Sequence, residues 1–157
     1  MWETLLSEVG SVAREADIAS AHGRRFFRHW RDLRGSADIP ARQDFDPFDV
    51  PWILGDLSLI ERVPDDYLFR VDGTRAVEFF GNEMTGRLLS QYPFAERVPQ
   101  LRAAYDTVVE SRAPHVWLRE AVNSGKRRRI EQLLLPLAGA DGAVSHIAIS
   151  LDTFAPG

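Results

Sequence analysis

Several side-chain sets in this 157-residue chain have types and spacings suited to chemistry. Gly81 and Gly86 frame the run "GNEMTG", which superficially resembles a phosphate cradle. His115 and His146 fall in strand-like segments, where two imidazoles can share a metal. His146 and Asp152 offer an acid–base pair on one strand. Asp44, Asp46 and Asp49 alternate loosely, as carboxylates do in a calcium loop. Arginines at 24, 25, 28, 31 and 34 give one helix a basic face, and Lys126-Arg127-Arg128-Arg129 makes a basic hairpin. Such patches attract anions: an acidic partner, a signalling nucleotide or nucleic acid.

Most of these sets fall short of their motif. A phosphate loop needs a strand before it and Lys with Ser or Thr after it. Here Arg87-Leu88 follows, and Glu83 places a carboxylate where an anion should sit. The spacing instead predicts that Gly73-Thr74 turns a strand into a helix and that Gly81-Asn82 ends that helix in a left-handed turn. The two histidines have no evident third ligand. The aspartates lack the glycine and closing glutamate of a calcium loop, and capping accounts for Asp46 and Asp49. His146 and Asp152 lie toward an exposed strand end, and no Ser-His-Asp or Cys-His set is identifiable. With a net charge of −4, nucleic acid binding is not expected, and the arginine faces read as solvated surface.

Composition narrows the classes further. The length fits one domain, and 45% hydrophobic residues suffice for a core. Cysteine is absent, which removes disulfides, thiolate metal sites, cysteine nucleophiles and cysteinyl-flavin photochemistry. No secretory leader and no apolar run of spanning length are read, so a cytoplasmic location is expected.

The elements that must position these residues follow from periodicity. Residues 2 to 34 read as helical, with Trp2, Leu5, Leu6 and Val9 on an apolar stripe, a break at Gly23 and a stop at Gly35. A connector with apolar anchors Phe45, Phe48, Trp52 and Leu54 comes next. Strands at 57–63 and 67–72 form a hairpin through Pro64-Asp65-Asp66, with Tyr67, Phe69 and Val71 on one face. Helices are expected at 74–80 and 99–112. Three strands close the chain at 115–122, 128–138 and 144–151, joined by Asn123-Ser124-Gly125 and Asp141-Gly142. "LLLPL" is apolar on both faces, so the N-terminal helix is expected to cover the back of the sheet. The fold class is α+β, a five-stranded antiparallel sheet with helices on one face. The division is an N-terminal helical extension over 1–36 and a domain over 37–157.

The stretches "RRFFRHWRDLRG", "PARQDFDPFDVPWILGDLSLIE", "YLFRVDGTRAVEFFGNEMTGR" and "LLLPLAGADGAVSHI" resemble the PAS superfamily, in particular small stand-alone bacterial PAS proteins with a helical N-terminal extension. The resemblance covers about residues 24 to 151. It implies a sheet cupping a small cavity beneath the middle helices, and signal sensing or protein docking rather than catalysis. Haem-binding relatives take an axial histidine from the helix before the last three strands, and "QLRAAYDTVVESR" has none. Non-covalent flavin is left open, and the cofactor, if any, is unknown. A ligand in that cavity would be lined by Phe69, Phe80, Tyr105, Trp117, Gln132 and Ile149. Those residues fit a small, largely apolar molecule with one or two polar anchors, or they fill the space themselves.

The reading is therefore a non-catalytic sensor or adaptor that works through a separate signalling protein. A homodimer is expected through the N-terminal helix. Two alternatives stay open: a small cone-shaped α+β enzyme of isomerase or dehydratase type, and a nucleotide-responsive regulator using the arginines.

Overall fold

The structure, a computed structural model, describes residues 2–123 and 125–154. In chain order the elements are β1 (Trp2–Val12), α1 (Ala21–Arg34), β2 (Leu57–Val63), β3 (Asp66–Asp72), α2 (Thr74–Phe80), α3 (Val98–Ser111), β4 (His115–Asn123), β5 (Lys126–Ala138) and β6 (Val144–Phe154). Short 3-10 turns fill the connectors. All strands form one six-stranded sheet in the order β1-β4-β5-β6-β2-β3. Every pairing in it is antiparallel.

Turn chemistry sets the hairpins. Asp65 (φ 60°) and Gly142 (φ 84°) both take the left-handed conformation that tight turns require. Ser124, inside the expected turn between β4 and β5, lies outside the described residues. Gly81 ends α2 in the left-handed conformation, its N–H donating to the Val77 carbonyl at 2.7 Å. Residues 86 and 87 then run beside β3: Gly86 N–H donates to the Phe69 carbonyl and Phe69 N–H to the Arg87 carbonyl. The glycine-framed stretch thus folds a strand into a helix and back against its own edge, with no phosphate geometry.

The N-terminal segment departs from the sequence expectation. Residues 2 to 12 are not helical; they form β1 and pair with β4, from Trp2 opposite Asn123 to Val12 opposite His115. This strand is the sixth of the sheet. Helical periodicity and strand pairing compete over such a short segment, and β4 offers an open edge that decides the outcome. Helix begins only at Ala21, capped by Ser20, whose Oγ accepts from Gly23 N–H at 2.9 Å. Gly23 is therefore not a break. It sits in the first turn, where an added Cβ would stand 3.0 Å from Ile18. Gly35 follows the last helical residue as expected.

The sheet is covered on both sides. Along β5, Leu133, Leu135 and Leu137 face one way and pack with Phe26, Phe27 and Trp30 of α1. Leu134, together with Ile147 and Ile149 of β6, faces the other way against Tyr105 and Val108 of α3. This two-sided burial explains the unbroken apolar run in β5. The helical covering of the back of the sheet comes from residues 21–34, with Ile18, Ile39, Phe45, Val50 and Ile53 packed into the same core.

One irregularity redirects side chains. Leu59 pairs with Val71 but Ile60 pairs with Phe69, so Arg70 is an extra residue in β3. Tyr67 and Phe69 stay on the α3 side, whereas Val71 packs with the α1-side core. The sequence alternation put all three on one face, and the bulge corrects it.

The candidate ligand recess

α3 crosses the sheet with Ala104, Tyr105 and Val108 buried against it. Between α3, α2, the 82–92 segment and the strands lies a recess of about 50 Å³. Phe69 from β3, Phe80 from α2, Tyr105 from α3, Gln132 from β5 and Ile149 from β6 all line it. Trp117 of β4 lines the adjoining recess of about 10 Å³, together with Tyr105, Gln132 and Ile149. The residues singled out from sequence thus line two adjoining recesses that share Tyr105, Gln132 and Ile149, though they come from five strands and helices plus β4. A water takes about 30 Å³ in the liquid, so the space suits a solute of a few heavy atoms.

The polarity of the walls was not anticipated. Ser58, Asp72, Asn82, Tyr92 and Arg119 line the same recess. The bulge at Arg70 turns Asp72 inward, where its carboxylate accepts from Ser58 Oγ at 3.0 Å and from Met84 N–H at 3.2 Å. Burial pushes the Asp72 carboxyl above its ordinary range, and the two hydrogen bonds only partly offset this. Burial likewise raises the hydroxyls of Tyr92 and Tyr105, with Arg119 opposing the shift at both. Arg119 was legible in principle, because it shares the face of Trp117 two residues earlier on β4. Asp72 was not, because no sequence signal marks the bulge. Tyr92 and Asn82 sit in irregular chain with no period to read.

A pH prediction follows from Asp72. Its folded pKa lies above the unfolded value of 3.8, so the folded state holds the proton more tightly. Stability from this group is fully present below that value and is lost as pH rises through the folded pKa. Asp72→Asn is therefore expected to gain in melting temperature on the parent as pH rises from about 4 through the raised pKa of Asp72. Melting curves at several pH values check this, and a constant difference would contradict it.

Other sequence candidates separate in space. His115 and His146 do not meet, because β5 runs between β4 and β6. His115 faces the Ala113 carbonyl at 3.0 Å, and His146 Nδ1 lies 2.8 Å from Ser145 Oγ. Burial, with Arg42 nearby, holds His146 below its usual pKa. His146 and Asp152 are six residues apart on β6, about 20 Å at strand rise, so they form no acid–base pair. Among the described residues no group of three or more His, Asp or Glu is placed to hold a metal. Asp46 caps a 3-10 turn by accepting from Phe48 N–H at 2.9 Å.

The arginines of α1 are committed within the fold. Arg24 donates to the carbonyls of Ile18 and Ala19, both at 2.8 Å. Arg25 stacks 3.8 Å over Trp52. Arg28 and Arg31 both grip Glu15, and Arg28 is the main cause holding that carboxyl below its ordinary range. Arg34 lies 5.6 Å over the Trp30 ring. In the basic hairpin, Arg127 pairs with Glu120 at 3.5 Å.

The recess does not fit the larger groups that the resemblance raises. An isoalloxazine or a porphyrin needs a pocket of several hundred Å³, and no histidine lines this one. Among the described residues no helix is long and apolar enough to cross a membrane.

Comparison with known proteins agrees with this architecture. A family model described as "PAS domain" matches residues 18–151. A solved structure of an RNA-binding light-oxygen-voltage receptor superposes with a TM-score of 0.54 at 13% identity, over 93% of this chain. The chain spans 38% of that receptor's length, and at this identity the likeness speaks to the fold. No curated protein matches.

Proposed function

The chain belongs to the PAS domain family, and from that premise we propose that it is a sensory module whose ligand site is the recess under α3. The observation that carries the proposal is convergence. Phe69, Phe80, Tyr105, Gln132 and Ile149 line one small recess and Trp117 lines the adjoining one, so six different elements contribute. Occupancy acts on β5 and β6, whose opposite faces hold α1. The readout then passes to a separate signalling protein through α1 and the N-terminal segment.

The activity is non-catalytic binding. An enzyme of the cone-shaped type needs a paired acid and base in its cavity. The His146–Asp152 pair is split by the length of β6, and no histidine lines the recess. A nucleotide exceeds the recess, and the α1 arginines that would bind one have partners inside the fold.

Native mass spectrometry with an absorbance scan tests the reading. The expected spectrum has twice the mass of the 17.7 kDa chain plus a low-mass, non-coloured adduct that is lost on denaturation. Visible absorbance with a flavin or haem mass would overturn it. The homodimer is part of the proposal, but its contact moves. Trp2, Leu5, Leu6 and Val9 are on β1 rather than on a helix, and β1 is an edge strand of the sheet. We place the self-contact at this open edge, where backbone groups can pair with a second copy. Light scattering is expected to give twice the chain mass; a monomer would remove the homodimer.

A further inference from the structure

The recess and the edge strand share one side chain, Trp117. From this we propose that the Trp117 ring couples them: filling the recess locks β1 onto β4, and an empty recess lets β1 come away. The inference rests on the recess being the sensing site and names how occupancy is passed on from it.

Trp117 sits directly opposite Gly10 in the pairing of β1 with β4. Beside them, Ala13 N–H donates to the Pro114 carbonyl at 2.8 Å. The register is uniform from there to Glu8, so by alternation Ser11 with Val116 and Val9 with Leu118 exchange the ladder hydrogen bonds. Gly10 with Trp117 is then a non-hydrogen-bonded pair, the kind in which side chains come closest. The indole occupies the place of the missing side chain: a Cβ added to Gly10 would stand 2.5 Å from Cε2 of the ring. The ring therefore lies against the β1 backbone. It also lines the recess of about 10 Å³ with Tyr105, Gln132 and Ile149, and the recess of about 50 Å³ adjoins that space. Its Nε1–H is buried and donates no hydrogen bond, so packing holds the ring in place.

The ring thus has two places to rest, on Gly10 or tilted toward the recess. When β1 leaves β4, the face of the indole that covered Gly10 loses its contacts. An empty recess lets the ring tilt inward and recover part of them, which lowers the free energy of release. An occupied recess forbids the tilt, so release exposes the indole without compensation. Occupancy and β1 docking then favour each other, and by linkage each does so to the same degree. An occupied chain accordingly keeps β1 in place for the self-contact at its outer edge.

The test removes each resting place in the full chain. Gly10→Ala takes away the place on β1, and Ile149→Trp fills the recess. Amide exchange of Ser11, Val116 and Leu118 reads the docking of β1, relative to Leu135 and Ala148 inside the sheet. Ile149→Trp alone is expected to slow the three amides about fivefold or more, and Gly10→Ala alone to speed them. The double variant leaves the ring neither place, so its exchange is expected to be at least about fivefold faster than the product of the single effects. Effects that simply multiply, or faster exchange in Ile149→Trp, would overturn the proposal. Circular dichroism first establishes that each variant folds. Should Ile149→Trp not fold, Ile149→Phe replaces it with the same expectations; should the double variant not fold, the slowing in the filled variant decides. Saturation transfer from the parent to acetate, ethanol and acetamide separates the coupling from the reading beneath it. Transfer with multiplying effects keeps the recess as a binding site and removes the coupling. Coupled exchange without transfer keeps the coupling and removes the sensing role.

Discussion

Replacing Trp30 by alanine is expected to lower the melting temperature by about 6–20 °C. Trp30 is 2% exposed and sits in the core that joins α1 to the back of the sheet. Its Nε1–H donates to the Pro136 carbonyl on β5 at 2.8 Å. Truncating a buried Trp costs about 3–5 kcal/mol, and about 2–4 °C accompanies each kcal/mol in a domain of this size. Trp30→Phe separates the two contributions. It keeps a ring but leaves the Pro136 carbonyl without its donor, at a cost of about 1–3 kcal/mol. Thermal unfolding of both variants checks the ordering. A Phe variant as unstable as the Ala variant would mean that the hydrogen bond, not the packing, dominates.

Replacing Glu131 by alanine is expected to destabilise the fold by about 2–4 kcal/mol, from two backbone donors stranded together, the buried Ser20 N–H and the part-buried Ala19 N–H. Glu131 on β5 is 3% exposed, and its two carboxylate oxygens accept from Ala19 N–H at 2.8 Å and Ser20 N–H at 3.0 Å. Its cross-strand partner Asp152 accepts from Ser20 Oγ at 2.6 Å, while the same oxygen caps α1. The pair therefore pins the entry to α1 onto the sheet, one residue from Gln132 in the recess. Glu131→Gln restores only one acceptor and presents an amide donor to the second N–H, so it is expected to recover less than half of the loss. Denaturant unfolding measures both. Amide exchange adds a local test: residues 19–24 lose protection in Glu131→Ala before the rest of the sheet does.

These two anchors show where sequence reasoning reached and where it stopped. The need for a cover over "LLLPL" was legible, because a strand apolar on both faces must be buried on both. The identity of the cover was half legible. Phe26, Phe27 and Trp30 lie at helical spacing in α1 and do the covering, while the equally helical spacing of Trp2 to Val9 belongs to a strand. Periodicity cannot see the open edge of β4 that recruits those residues. The candidate wall residues were legible because strand alternation from Trp117, Gln132 and Ile149 points one way, and α3 brings Tyr105 to meet them. The charged part of the wall was not. Asp72 reaches the recess only through the extra residue at Arg70, and Tyr92 and Asn82 come from chain without a repeat. That omission changed the chemistry: a wall expected to be mainly apolar holds Asp72, Arg119 and two phenols.

The most direct test of the ligand recess is saturation-transfer NMR of the intact chain with a mixture of small solutes, repeated on Ile149→Trp, whose side chain fills the space. Circular dichroism first establishes that this variant is folded. At least one solute is expected to receive magnetisation from the parent and to lose it in the filled variant. Transfer that survives the filling, or that reaches no solute in the parent, would contradict the assignment of this recess as the sensing site.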